Sequence, residues 1–465
     1  MERLTGQDAS FLYMETPSVH MHTLKVTVID LPGRIPFSDV FDMLRSVVES
    51  RLHLAPRMRL RPVEVPGALH HPVWIRDPQF DLSRHLHRAH IPSPGRQLEM
   101  DETIGDIASR QLHRDRPLWE LWLLEGLADG GIVLVTKIHH SLADGAASVA
   151  MLSRMMELEP IEDDLSAAPP EWAPEPIPSR ARLILDALRD QRVQARRLAP
   201  LLKRTASGGI NVLKHLKERE GFVPTPFLTP RTVFNRKLSP ERSFATVSLS
   251  LADMKAVKNA AGVTLNDVVL AIVAGGLVRF FEERGEHLDR PLLVSVPMAV
   301  AAPGGGDRFS GNRVANLFTS LCNDVSDPLL RLKAISQVTS ESKKMQQRLG
   351  METLLDWSEA APAGPYRWLS RAYSASGVMD HIRPPTNLIV SNVRGPDHSL
   401  YIAGARLRTI YSVGPAIEGV GLNITAWSYC GDVAFALIAD ADAIPDPHLI
   451  TDAFPAALEE LRQAL

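Results

Sequence analysis

A proline-rich stretch divides the chain. Pro160, Pro169, Pro170, Pro174, Pro176 and Pro178 stand within nineteen residues, with alanine and acidic residues between them. Proline fixes φ and removes backbone donors, and the stretch has little apolar surface to bury, so it predicts an extended linker. A chain of 465 residues has room for more than one domain. The expected division is a lobe over 1–158, a linker with a basic segment over 159–241, and a second lobe over 242–465.

Both flanks read as α+β. In the first, Leu24–Ile29, Trp119–Glu125 and Gly131–Ile138 have strand-like runs, and Ser38–Leu52 has apolar residues at three- and four-residue steps. A helix is expected over Gly145–Met156. In the second, Ala245–Leu249, Leu292–Pro297, Leu388–Ser391 and Val433–Leu437 read as strands. Leu251–Ala261 and Leu265–Glu283 read as helices. Gly304, Gly305 and Gly306 lack the helix and Lys-Ser/Thr of a phosphate loop and read as a plain loop.

Charge excludes some classes. The 51 Lys+Arg and 54 Asp+Glu give a net charge of −3, so the chain lacks a nucleic-acid footprint. The excess of base is local: Arg180 to Arg219 holds eleven Lys/Arg against three acids. Ile184, Leu188, Ala195, Leu198 and Leu202 recur there at helical spacing, and Pro200 marks a kink or break. One reading is an interdomain helix with a solvated basic face; the other is a helix resting on an anionic lipid surface. Two cysteines, Cys322 and Cys430, give no disulfide framework or zinc site and fit a reducing, cytoplasmic setting. The start of the chain has no signal-peptide pattern, and the longest apolar run, Val268 to Val278, is too short to span a bilayer.

The segment Lys137-Ile138-His139-His140-Ser141-Leu142-Ala143-Asp144-Gly145 carries the chemistry. Neighbouring residues at a strand end point to opposite sides. One histidine can therefore face a cleft as a general base while the other packs inward or braces the turn. An imidazole with an ordinary pKa of ~6.5 is mostly neutral at pH 7 and ready to accept a proton. A metal on His139, His140 and Asp144 is disfavoured, because one histidine projects to each side. Ser141 lacks the Gly-x-Ser-x-Gly elbow of a nucleophile.

His-His-x-x-x-Asp-Gly at 139–145 resembles the signature of CoA-dependent acyltransferases of the chloramphenicol acetyltransferase-like superfamily, which includes nonribosomal peptide condensation domains. Pro117-Leu118-Trp119, Asn266-Asp267-Val268-Val269-Leu270-Ala271, Ser391-Asn392-Val393-Arg394-Gly395-Pro396 and the start Leu4-Thr5-Gly6-Gln7-Asp8-Ala9-Ser10-Phe11-Leu12 resemble motifs of the bacterial wax ester synthase/diacylglycerol acyltransferase family. Arg394 departs from that pattern, which usually has proline there.

The resemblance implies two chloramphenicol acetyltransferase-like lobes, each a mixed sheet with helices, and an active site between them. It implies transfer from acyl-CoA, a co-substrate and not a bound cofactor, to diacylglycerol or a long-chain alcohol. It implies neither a metal nor a covalent acyl-enzyme. His140 is the expected base, His139 its neighbour and Asp144 a structural residue. Gly145 sits where the chain turns into a helix, and Asn266 steers the hydroxyl, binds the oxyanion or caps its helix. Trp119, Asn266 and Asp267 are expected against the substrate, and the surface against a membrane or lipid droplet. The alternatives are a non-catalytic lipid-binding relative or a condensation-type enzyme fed by a carrier protein.

Overall fold

The protein is described by a computed structural model covering residues 1–31, 33, 36–143, 154–160, 172–191, 228–299, 314–349, 359 and 361–465. Asp144, Gly145, most of the expected helix 145–156, Gly304–Gly306 and the basic segment beyond residue 191 lie outside these residues.

Two six-stranded sheets organise the chain. The first has the spatial order Tyr401–Ile402, Ala405–Val413, His22–Asp30, Ile132–His139, Trp119–Glu125, Leu86–His90. All its pairs are antiparallel except the last. The second runs Val314–Ser320, Leu293–Ala299, Leu388–Arg394, Leu422–Tyr429, Asp432–Asp440, Arg242–Ser250, with Leu388–Arg394 parallel to both neighbours. A three-stranded sheet, Glu2–Arg3, Val73–Arg76 and Leu60–Val63, flanks the first.

The strands and helices follow from local pattern. Helix Phe37–Arg51 buries Val40, Leu44, Val47 and Val48, one stripe at helical spacing. Helix Leu265–Glu283 is buried on nearly all sides and forms the centre of the second lobe's core. Leu251–Ala261 ends at Gly262, which supplies the left-handed C-terminal conformation (φ 69°). No single helix among the described residues is long and apolar enough to cross a membrane.

Sequence and sheet boundaries do not coincide. Ala405–Val413 lies within the 242–465 stretch, yet it pairs with His22–Asp30 of the first sheet, from Val413 opposite Leu24 to Arg406 opposite Asp30. Without it, His22–Asp30 would be an open edge. Helix Gln97–Ala108 ties the lobes together from the other direction. Its buried Asp101 accepts hydrogen bonds from the Thr246 N–H (2.9 Å) and His448 Nε2 (3.1 Å) in the second lobe. Gly105 on that helix approaches so closely that a Cβ would lie 2.9 Å from the Arg242 carbonyl oxygen.

The described part of the expected linker is anchored. Glu175 accepts a hydrogen bond from the Arg76 N–H (3.0 Å) and pairs with the N-terminal ammonium (2.7 Å). Weakly apolar sequence is thus held by bonds supplied from its neighbours. Helix 180–191 follows, but Ile184 and Leu188 are not its buried stripe. Leu183 packs on Val63, Val73 and Ile75, Ala187 is also buried, and Leu188 faces outward.

Candidate active site

The strand Ile132–His139 ends in the histidine pair. His139 lies opposite His22 in the ladder. The next residue leaves the strand with its N–H donating to the Met21 carbonyl (2.7 Å), and the Leu142 N–H closes a turn onto the His139 carbonyl (2.9 Å). The two rings enter different surroundings.

His139 is sealed, with 1 % exposure. Its Nδ1 receives the Ser141 backbone N–H (3.1 Å) and the Ser141 hydroxyl (2.7 Å). A backbone N–H can only donate, so this pattern assigns the proton of the neutral ring to Nε2. Nε2 faces Glu15 Oε1 at 3.6 Å. Glu15 closes helix Gly6–Met14 and is gripped by Arg114, whose Nε donates to Oε2 at 2.6 Å. Burial, then the Arg114 charge and that of His140, hold the His139 pKa well below its ordinary value. A ring kept neutral in a sealed position braces the turn.

His140 is half-buried and stacks on Phe11, with ring centroids 4.2 Å apart and planes at 30°. Phe11 packs in a cluster of Val19, Met21 and Met14 with Leu238 of the 159–241 segment and Ala416 and Ile417 of the second lobe. His140 therefore stands beside the junction of the lobes. Helix Gly6–Met14 serves both histidines, offering Phe11 to one and ending at Glu15 beside the other.

Three further expected site residues, Trp119, Asn266 and Asp267, have the following surroundings. Trp119 is a core residue: it is fully buried, its Nε1–H donates to the Met58 carbonyl (2.7 Å), and its ring stacks on His85 at 4.4 Å. Asp267 is a cap. Its carboxylate accepts from the Thr264 N–H (2.9 Å), the Thr264 hydroxyl (2.8 Å) and the Ser336 hydroxyl (3.0 Å), while the Thr264 hydroxyl accepts the Asp267 N–H. This reciprocal pair is a capping box, so the cap does not belong to Asn266. Asn266 is half-buried in the first turn of the helix. No hydrogen bond among the described residues joins it to His139 or His140. In the segment 391–396, Arg394 is exposed, and Gly395 is required: a Cβ there would lie 2.2 Å from the Ser428 carbonyl oxygen and 2.6 Å from the Trp427 Nε1. No group of three His, Cys, Asp or Glu among the described residues is arranged to hold a metal.

Phe11, Glu15, Arg114 and the hydroxyl of Ser141 are site residues that sequence reasoning did not identify. No spacing rule links residue 11 to residue 140. Only the segment Leu4–Leu12, noted for its resemblance, marked the neighbourhood.

Comparison with known proteins agrees with the layout. Residues 4–269 match the wax ester synthase/diacylglycerol acyltransferase catalytic domain, and residues 310–462 match the C-terminal domain of the same family. A Mycobacterium tuberculosis protein named "putative diacylglycerol O-acyltransferase" is 38 % identical over all of this chain and 96 % of its own length. The wax ester synthase/diacylglycerol acyltransferase of Marinobacter aquaeolei superposes with a TM-score of 0.70 at 28 % identity, covering 99 % of each chain. The first condensation domain of the calcium-dependent antibiotic synthetase shares the fold, with a TM-score of 0.59 at 15 % identity over 100 % of this chain and 96 % of that one. The two-lobed α+β architecture, the histidine pair beside the lobe junction and the two matched domains agree: the chain belongs to the wax ester synthase/diacylglycerol acyltransferase family and is an acyltransferase.

Proposed function

We propose that the protein transfers an acyl group from acyl-CoA to the free hydroxyl of diacylglycerol, and also to long-chain alcohols, with His140 as general base. The carrying observation is the contrast at the strand end. His139 is sealed, neutral and held at Nδ1 by Ser141, whereas His140 is half-buried, stacked on Phe11 and next to the second lobe. His140 Nδ1 is buried, so Nε2 is the nitrogen that takes the proton.

In the step, the acceptor oxygen attacks the thioester carbon as its proton passes to His140. The tetrahedral intermediate collapses with loss of the CoA thiolate, which takes that proton back from His140 and leaves as the thiol. Ester and free CoA are the products. The thioester is already activated, so no acyl-enzyme is needed. Phe11 offers a π face to the imidazolium that forms, a favourable contact for a cation. Asn266, whose amide is not spent on the helix cap, is assigned to the developing oxyanion, where a well-placed donor contributes about 3–4 kcal/mol. Because the acceptor is insoluble in water, the enzyme works against a membrane or lipid-droplet surface.

The test is product analysis with labelled acyl-CoA, offering diacylglycerol and hexadecanol together. His140→Ala is expected to lower turnover by ~10²–10⁴-fold with an unchanged far-ultraviolet spectrum. Asn266→Ala is expected to lower kcat more than it raises KM. Retained turnover in folded His140→Ala protein would remove the base assignment.

A further inference from the structure

Helix Ala363–Ser376 carries its large apolar side chains on the outside. Trp368 is 69 % exposed and Leu369 57 %. With Pro365 and Ala372 they follow the three- and four-residue steps of one helical face. Its inner side is fixed. Ala363 belongs to the first lobe's core, the Tyr366 ring meets the Tyr13 ring edge to face at 5.7 Å, and Arg367 pairs with Glu64 at 3.0 Å. The helix contains two arginines and no acid, and Arg371 is exposed.

A helix anchored on its polar and small residues, with tryptophan and leucine turned to solvent, inverts the usual burial order. Tryptophan and arginine on one exposed face suit a boundary between water and lipid, where the indole sits at the headgroup level and the guanidinium meets phosphate. The helix begins against the turn Pro66–Ala68, where a Cβ on Gly364 would lie 3.4 Å from the Ala68 carbonyl oxygen, and the other flank of that turn repeats the pattern. Helix 180–191 reaches it through Gln191, which donates to the Leu69 carbonyl, and leaves Leu185, Leu188, Arg182 and Arg189 exposed.

We propose that helix Ala363–Ser376 is the docking face of the protein on an anionic phospholipid surface, with Trp368 and Leu369 entering the headgroup layer and Arg371 meeting lipid phosphate. This deepens the acyltransferase reading and rests on it for the cargo that makes docking useful. The position suits that use. The helix packs on Gly6–Met14 through Tyr13, and Phe11 of that same helix stacks on His140. An acceptor leaving the lipid beneath Trp368 is one helix away from the base.

The experiment is co-sedimentation of the full chain with vesicles of phosphatidylcholine and phosphatidylglycerol (3:1), and with phosphatidylcholine alone. It needs no turnover, so it remains readable if the acyltransferase reading fails. The double variant W368D/L369D is expected to bind the mixed vesicles at least tenfold more weakly, with an unchanged melting temperature. R371E is expected to weaken binding to the mixed vesicles and leave the residual binding to neutral ones unchanged. Leu98→Asp, which alters another exposed leucine on a different helix, is the control and should bind as the parent does. Parent-like binding by W368D/L369D would overturn the proposal. So would a concentration-dependent dimer abolished by that variant in a chain that does not bind lipid, since the face would then join two copies.

Discussion

The central strands of the two sheets have different interiors. In the first lobe, His22, Lys25, Lys137 and His139 are all at most 3 % exposed, together with Thr23, Thr27 and Thr136. Lys137 donates to the Ile107 carbonyl (3.1 Å) and to Glu120 (3.4 Å), and also bonds the Arg110 carbonyl. Lys25 bonds the Ser412 hydroxyl and lies 5.1 Å from the Trp427 ring centre. In the second lobe, the corresponding layer is Leu388, Val390, Leu422, Ile424, Ala426, Val433, Phe435 and Leu437. The buried ions on its strands, Arg242 and Asp440, sit at strand ends as a 3.7 Å pair. Apolar burial stabilises without direction, whereas each buried ion needs partners in fixed positions. The first lobe accepts that cost beside the histidine pair.

The difference has a direct acid signature, and it is the largest effect expected. His20, His22, His70, His71, His85, His87 and His139 all have lowered pKa values, with burial as the first cause in each and His70 and His71 pushed down to about 4. All seven lie in the first lobe's sequence. A histidine with a depressed folded-state pKa binds its proton in the unfolded chain first, so stability falls as pH drops below ~6.5. His448, raised by its hydrogen bond to Asp101, and the burial-raised Glu15, Asp101 and Glu418 oppose this. The histidines outnumber them, so melting temperature should fall steadily from pH 7 to pH 5. A flat profile would break the contrast between the lobes.

Single substitutions sharpen it. Lys137→Met removes one partner of a buried pair and takes the ammonium away from the Ile107 and Arg110 carbonyls and from Glu120; it should cost about 3–5 kcal/mol in urea unfolding. Gly395→Ala must push the backbone away from Ser428 and Trp427 and should cost about 1–3 kcal/mol by the same measurement. Ile424→Val, in the apolar sheet, deletes one methylene and should cost only about 0.5–1.5 kcal/mol. If Ile424→Val proved as damaging as Lys137→Met, the polar layer would not be the more demanding of the two.

Much of the fold is written locally. Trp119–Glu125, Leu251–Ala261 and Leu265–Glu283 have the bounds their patterns predict, because alternation, caps and the C-terminal glycine act within a few residues. Of the three roles open to Asn266, the cap belongs instead to Thr264, two residues earlier, and the signal for it is Thr264-x-x-Asp267. The histidine pair was legible as a strand-end motif. Its surroundings were not, since Phe11, Glu15 and Arg114 reach it only through tertiary packing. The spacing of Ile184 and Leu188 left open whether their stripe meets the core or the surface, and it is Leu183 that packs on Val63 and Val73.

The strand Ala405–Val413 sets a schedule for synthesis. Arg406 and Asp30 are joined across 376 residues, so at about 5–20 residues per second the ribosome delivers the partner of His22–Asp30 roughly 20–75 s after that strand emerges. Throughout that interval the nascent first sheet offers an unpaired border to any extended chain nearby. A fragment ending near residue 400 would carry the same open border permanently. Expressing the two halves as separate polypeptides should therefore yield aggregates, unless they are made together so that one can lend the other its missing strand.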